Sequence, residues 1–220
     1  MNELFKAIAE NDPTHFRSLL AGNSGHANAR NDQGVSATMT SVYYRRAEFT
    51  RELIAAGAVL DVFEAAAIGD VPLLQDLVTR NPGDVNRFSP DGFRPLGLAA
   101  FFGQTEAALL LMEKGADPHG ISRNTQRVAP LHSAASSDAI QVARELIARG
   151  ADVNARQQSG YIPLHAAVQN GSVEMVRLLL RAGADCSAPN DAGLVPKDVP
   201  NRRNVQEVDR LLAACGDRAA

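Results

Sequence analysis

The chain has 220 residues but no tryptophan, only 2 cysteines and 5% aromatic residues. Cys186 and Cys215 lack metal-ligand spacing, so the sequence predicts ordinary reduced thiols rather than a disulfide framework or a zinc site. Basic residues are not in excess, because the net charge is -3, and we expect no nucleic-acid partner. No apolar run approaches the roughly 20 residues of a transmembrane helix, and the N-terminus does not resemble a signal peptide. We therefore expect a cytoplasmic protein that does not bind membranes.

Several chemical motifs are also missing. The sequence contains no Gly-x-Gly-x-x-Gly turn, phosphate loop or Gly-x-Ser-x-Gly elbow, which are the usual motifs of nucleotide and acyl-transfer chemistry. His15, His26 and His119 have neither the spacing nor the carboxylate partners of a ligand cluster. These absences predict no catalytic residues, no cofactor and no metal.

What the chain does contain is an internal repeat. The segment Pro163-Leu164-His165 recurs upstream as Pro130-Leu131-His132, and degenerate copies follow the same spacing at Pro95 and Pro196. A proline suits the first turn of a helix, because its missing N–H has no partner there, and Gly183 suits the left-handed position that ends a second helix. Each unit is therefore predicted to be a short helix, a turn, a longer helix and a loop.

These motifs resemble the ankyrin-repeat family over nearly the whole chain. The resemblance rests on the spaced features Pro163-Leu164-His165, Ala166-Ala167, Gly171, Leu178-Leu179 and Gly150-Ala151-Asp152. It implies an all-α fold with short β-hairpin fingers, an ankyrin-repeat solenoid of about seven helix-turn-helix units. In this family the helices form the body and the loops project as fingers.

The repeat register divides a single domain, residues 1–220, into units. Residues 1–28 are predicted to be an N-terminal capping repeat, residues 29–188 five internal repeats, and residues 189–220 a C-terminal capping repeat. The second internal repeat has a truncated finger, since few residues follow Gly57 before the next helix. A full finger returns at residues 84–93, and the finger at residues 119–128 carries a two-residue insertion.

His132 and His165 are the residues that most resemble catalytic groups, but a structural role is the better interpretation. In the family, the histidine of this motif packs and forms hydrogen bonds that join neighbouring repeats. The usual threonine is replaced by Ala129 and Ile162, so these histidines are expected to bind backbone groups or water.

The candidate binding residues are those where the repeats differ. The family places the two residues before the glycine of the first helix on its concave, finger-facing side, and the early units have large apolar residues there: Tyr43, Tyr44, Ile68, Phe101 and Phe102. Exposed apolar patches commonly mark interaction sites. We predict that these residues bind a partner, that the missing finger opens access to them, and that Phe88, Phe93, Arg123 and Arg127 form the rim. The other interpretation is that one residue of each pair packs under the neighbouring repeat or under the base of a finger.

The sequence therefore predicts a monomeric, non-enzymatic protein-protein interaction module that binds a protein or peptide with apolar residues. Two alternatives remain: a regulatory ankyrin subunit of an enzyme complex, and small-molecule binding in the concave groove near Phe101. The start at Met1 and the C-terminal capping repeat argue against the first of these. A stability scaffold with no binding role is a third possibility.

Overall fold

The structure is a computed structural model that describes residues 3–199 and 204–219. This part of the chain contains thirteen α-helices, together with four short 3-10 helices in the loops. The α-helices are α1 (Glu3–Glu10), α2 (Pro13–Gly22), α3 (Ala37–Tyr43), α4 (Ala47–Ala55), α5 (Val62–Ile68), α6 (Val71–Arg80), α7 (Pro95–Phe101), α8 (Thr105–Glu113), α9 (Pro130–Ser137), α10 (Ile140–Ala148), α11 (Pro163–Asn170), α12 (Val173–Arg181) and α13 (Val205–Ala219).

Local sequence signals explain where many of these helices begin and end. Pro95, Pro130 and Pro163 each occupy the first helical turn, where a missing N–H has no cost. Gly69 and Gly171 end α5 and α11 in the left-handed conformation, which a residue without Cβ adopts easily. The short first helix and the longer second helix of each predicted unit are confirmed.

The helices stack in two layers, as expected for a solenoid. The first helices of successive units contact one another from α1 to α11, and second helices contact one another from α6 to α13. Alanines such as Ala99 and Ala134 are fully buried in the first-helix layer, while Leu111 and Leu146 of the second helices are buried against them. One apolar core runs from Val35 to Leu212, with a smaller cluster at the N-terminal end. Each unit is thus stabilised mainly by its neighbours.

The loops before the first helices form the predicted fingers, but these are turns rather than extended hairpins. Within the described residues, the single β-bridge joins Arg30 and Ser36. A backbone hydrogen bond closes four fingers at the same spacing: Asn31 to Val35, Ser89 to Phe93, Gln157 to Tyr161 and Asn190 to Leu194. In the finger at residues 119–128, Ser122 N–H instead donates to the carbonyl of Val128, which confirms the two-residue insertion.

The connection between α4 and α5, where the sequence predicts the truncated finger, is short. Only residues 56–61 separate α4 from α5. The fingers on either side approach each other across this gap, so that a Cβ on Gly34 would stand 3.3 Å from Cβ of Pro90. The two flanking fingers therefore lie close together at this point.

The prediction of two reduced cysteines is wrong. Cys186 and Cys215 form a disulfide, with an S–S distance of 2.12 Å. The two residues are 29 positions apart, close to one repeat period, and stacking places α13 against α12. Residues about one period apart lie side by side in a solenoid, so two isolated cysteines in adjacent units are brought together by the stacking alone.

Candidate functional site

A groove runs along the first helices and is bounded on its other side by the fingers. It encloses about 810 Å³. The body side is formed by residues of α3, α7, α9 and α11, and the finger side by the fingers ending at Phe93, Val128 and Tyr161. We call this feature the concave groove.

One end of the concave groove is aromatic. The rings of Tyr43 and Phe102 lie 5.9 Å apart between centroids, those of Tyr43 and Phe93 6.5 Å, and Phe101 meets Phe102 edge-on at 5.1 Å. Tilted and edge-to-face contacts at these distances are favourable for aromatic rings. Four of the sequence-predicted residues therefore form one cluster.

Tyr43 is fixed within this cluster by its hydroxyl group. The phenol O–H donates a short hydrogen bond of 2.5 Å to Oδ2 of Asp91, across from α3 to the finger at residues 84–93. Burial, reinforced by this bond and by the negative charge of Asp91, raises the pKa of Tyr43 well above its usual range. The phenol stays neutral, and the bond joins two units that flank the truncated one.

Exposure separates the predicted residues into two groups. The side chains of Tyr44 and Phe101 are 50% and 42% exposed, which is high for large aromatics. The remaining apolar residues among the predicted binding residues are half-buried: Tyr43, Ile68, Phe88, Phe93 and Phe102. Phe101 both lines the groove and is exposed, whereas Tyr44 and Ile68 lie outside the groove lining. Phe101 is thus the predicted residue best placed to contact a ligand in the groove.

The other end of the concave groove is polar and uncharged. It is lined by amides and hydroxyls: Asn124, Gln126, Gln157, Gln158, Gln169, Ser133 and Ser136. The binding residues predicted from the sequence do not include the glutamines of the fingers. Their signal was available, because three of them fall in the two fingers that face this part of the groove. Such a wall offers hydrogen bonds without requiring a charged ligand.

The predicted rim residues on the finger side form a separate arrangement. Phe88 contacts two guanidinium groups, with Cζ of Arg94 4.6 Å and Cζ of Arg123 4.0 Å from the ring centroid. Arg94 also pairs with Asp117 at 3.1 Å. Arg123 and Arg127 are exposed and line a shallow concavity on the finger at residues 119–128. Phe93, in contrast, belongs to the groove itself.

The two motif histidines are buried structural residues. In His165, Nδ1 accepts from the backbone N–H of Ile162 at 3.2 Å, and Nε2 lies 3.1 Å from the carbonyl oxygen of Leu194 in the next finger. Nε2 of His132 makes the equivalent contact with Tyr161. Burial lowers the pKa of His132 to about 4 and also lowers that of His165, so both rings are neutral near pH 7. Backbone groups bind both ring nitrogens of His165, as expected, whereas Nδ1 of His132 is buried and has no hydrogen-bond partner within the described residues.

The described part of the chain offers no group of three His, Cys, Asp or Glu side chains placed to hold a metal ion. Of the helices assigned above, not one combines the length and the apolar character needed to cross a membrane.

Comparison with known proteins finds one family. The sequence matches the family described as ankyrin repeats (3 copies) over residues 62–157 and 121–190, which together span more than half of the chain. The chain is similar to ankyrin repeat and SAM domain-containing protein 6 of Rattus norvegicus, with 33% identity over 101 residues, which are 46% of this chain and 11% of that protein.

Two further relatives show the same partial overlap. Alpha-latrocrustotoxin-Lt1a of Latrodectus tredecimguttatus is 38% identical over 95 residues, 42% of this chain and 6% of the toxin. The DNA-binding protein RFXANK of Homo sapiens is 32% identical over 74 residues, 34% of this chain and 28% of that protein. The chain therefore corresponds to a small part of each of these relatives.

Proposed function

Because this chain belongs to the ankyrin-repeat family, we propose that it is a non-enzymatic protein-interaction module, an adaptor or regulator that binds a partner through its concave groove and fingers. The partner is a protein or peptide segment with apolar residues. The module acts as a monomer in the cytoplasm and binds neither nucleic acid nor membranes, although one relative is named a DNA-binding protein. The net charge of -3 supports the exclusion of nucleic acid.

The observation that carries this proposal is the exposed ring of Phe101 on the wall of a preformed groove. The ring of Phe101 packs edge-on against Phe102, which in turn contacts Tyr43. These contacts hold the exposed ring in place. Aromatic anchors in such positions often contribute about 2 kcal/mol or more to binding. A rigid surface also loses little conformational freedom when a segment docks.

The disulfide is the observation that argues against a cytoplasmic location. Disulfides persist in oxidising compartments and are rare in the cytosol. The cytoplasmic assignment rests only on the sequence and is tested by the thiol measurement given in the Discussion.

Peptides selected from a displayed random library by the wild-type protein test this function. Phe101→Ser is expected to weaken the selected peptides at least tenfold, about 1.4 kcal/mol, without lowering the thermal midpoint, since the ring is exposed. Val59→Ser is the matched control, because Val59 is 77% exposed and lies outside the groove. Phe102→Ser is less informative, since it also removes support from Tyr43. Equal binding by wild type and Phe101→Ser would contradict the proposal.

Small-molecule binding is the second candidate. The groove volume of about 810 Å³ falls within the range of roughly 300–1,000 Å³ typical of ligand pockets. A fragment screen by thermal shift tests it. Fragments that raise the midpoint of wild type but not of Phe101→Ser would favour this candidate over a peptide partner.

A further inference from the structure

The finger at residues 119–128, which we call the enlarged finger, differs from the others at one backbone position. In each of the other four fingers, a glycine with positive φ directly precedes the residue whose carbonyl accepts the closing hydrogen bond. These glycines are Gly34, Gly92, Gly160 and Gly193. Each of these glycines donates its N–H to the carbonyl three residues earlier. In the enlarged finger, Arg127 occupies this position, and its N–H donates to Asn124 in the same way.

Arg127 adopts the left-handed conformation that the glycines adopt, with φ of 51°. This conformation is strained for a residue with Cβ, and four equivalent positions in the same chain avoid the strain by using glycine. Non-glycine residues held in this region often mark functional sites. The arginine side chain is therefore the feature of the enlarged finger that requires an explanation other than folding.

Arg123 is the second unusual residue of this finger. Its guanidinium lies over the ring of Phe88 at 4.0 Å, and Arg94 also lies over this ring at 4.6 Å, so that two cations share one ring. Arg94 is neutralised by Asp117, and Arg156 of the next finger pairs with Asp191. Within residues 3–199 and 204–219, neither Arg123 nor Arg127 has a carboxylate within ion-pair distance.

The enlarged finger is held in place from both sides. Arg123 N–H donates to the carbonyl of Gly92 at 2.8 Å, and the carbonyl of Gln126 accepts from Gln158 N–H at 2.9 Å. The side-chain amide of Asn124 adds a bond to the carbonyl of Asp91 at 3.2 Å. The two arginines therefore project from a backbone that is fixed before any ligand arrives, which lowers the entropic cost of binding.

The enlarged finger also connects the arginines to the concave groove. Asn124 and Thr125 line both the groove and the concavity that contains Arg123 and Arg127. The groove wall is uncharged apart from Asp91, whose oxygens accept from Tyr43 and Ser89. A segment that leaves the groove over this finger thus passes from a neutral surface to two unpaired cations.

We propose that the enlarged finger is a docking site for acidic residues, and that the partner carries an Asp- or Glu-rich stretch directly beside the apolar segment bound in the groove. This inference rests on the proposed function of the groove. Guanidinium groups pair well with carboxylates, and the two arginines here have no such partner of their own. Polypeptide is favoured over nucleic acid because basic residues are not in excess, with a net charge of -3.

The experiment uses the tightest peptide selected by the wild-type protein, extended at either end with glutamates or, as its match, with glutamines. The glutamate peptide is expected to bind about fivefold tighter at low salt, and this advantage should shrink at high salt because the charges are exposed. Arg127→Gly should reduce the advantage at least twofold, while its thermal midpoint stays the same or rises. A purely structural role for Arg127 would not produce opposite effects on binding and stability.

Arg51→Gln is the matched control, because Arg51 is an exposed arginine on the outer helix α4 and its removal changes the net charge equally. It should retain the full glutamate advantage. Equal affinity of the two extended peptides overturns the acidic docking site and leaves the groove function intact. A library that yields no binder overturns both. Displacement of the glutamate peptide by a short DNA oligonucleotide at lower concentration overturns the choice of an acidic polypeptide.

Discussion

Glu64 and His165 occupy the same position in their helices, the third residue after the N-cap, yet they join their units to opposite neighbours. His165 accepts from the N-cap N–H with one ring nitrogen and places the other 3.1 Å from a carbonyl of the following finger. Glu64 also accepts from its N-cap residue, Asp61, at 3.0 Å. Its second oxygen, however, accepts from the hydroxyl of Ser36 in the preceding unit at 2.6 Å.

The difference follows from what the two side chains can donate. A neutral imidazole has one donor and one acceptor, so it can accept at the N-cap and donate to a carbonyl. An ionised carboxylate only accepts, and it therefore needs a hydroxyl or N–H on both sides. The C-terminal units consequently repeat one contact between a histidine and the following finger. The truncated unit instead contacts the preceding unit, through Glu64 and Ser36. The contact between Tyr43 and Asp91 then spans it.

The two ends of the solenoid differ as well. At the N-terminal end, Phe16 stacks on Phe49 with centroids 4.3 Å apart within a small core. At the C-terminal end, the disulfide between Cys186 and Cys215 adds a covalent link. Repetition and covalent closure thus characterise the C-terminal half, and individual side-chain contacts the N-terminal half. Three measurements test this difference between the two halves.

Removal of the disulfide should have the largest effect. The closed loop of about 29 residues predicts a loss of roughly 3.6 kcal/mol on the chain-entropy account. Because each unit contacts only its neighbours, the loss should appear first as faster hydrogen exchange in α13. Reductant should destabilise the wild type and leave Cys215→Ser unaffected. If the protein isolated without reductant reacts with a thiol reagent after unfolding, the disulfide is absent and the cytoplasmic assignment is supported.

His165→Ala should have the next largest effect. The side chain is fully buried and contacts two backbone groups, so its removal leaves a cavity and unsatisfied polar atoms, at a cost of about 2.5 kcal/mol. Urea denaturation measures the change. His15→Ala is the control, since His15 is exposed and should change stability by less than about 0.5 kcal/mol. A loss no larger than that of the control would mean that the histidine contacts do not hold the units together.

Glu64→Gln should have the smallest effect and should depend on pH. Burial, with the neighbouring Asp61, raises the pKa of Glu64 from 4.5 to about 7. The folded state therefore holds a proton between about pH 4.5 and 7 that the unfolded state has lost. The associated stability is complete below pH 4.5, falls as the pH rises through this window and is gone above pH 7.

The glutamine variant should lack this slope and should be more stable than wild type at alkaline pH. It should match the wild type in acid. The depressed pKa of His132 gives a slope of opposite sign, with stability lost as the pH falls toward 4, but this slope is common to both proteins and cancels in the difference. Identical pH profiles of urea midpoints would show that Glu64 ionises normally.

The sequence repeat alone predicts much of this architecture. The positions of Pro95, Pro130 and Pro163 set the helix register, and the spacing around them located the truncated unit and the two-residue insertion. These features are local, because they depend on where a helix can start, where it must end and how many residues lie between. Sequence also identified Phe101 as a candidate, and its role in binding stays a proposal.

The contacts between units, in contrast, depend on the tertiary structure. Cys186 and Cys215 pair because stacking aligns residues about one period apart. Gly34 lies close to Pro90 because two fingers approach each other on either side of the truncated one. Burial divided the aromatics, leaving Phe101 exposed while Tyr43 and Phe102 pack together. Each of these outcomes depends on how closely two distant segments approach. The period of a sequence says which units are neighbours, but the distance between their side chains depends on how all of the units pack.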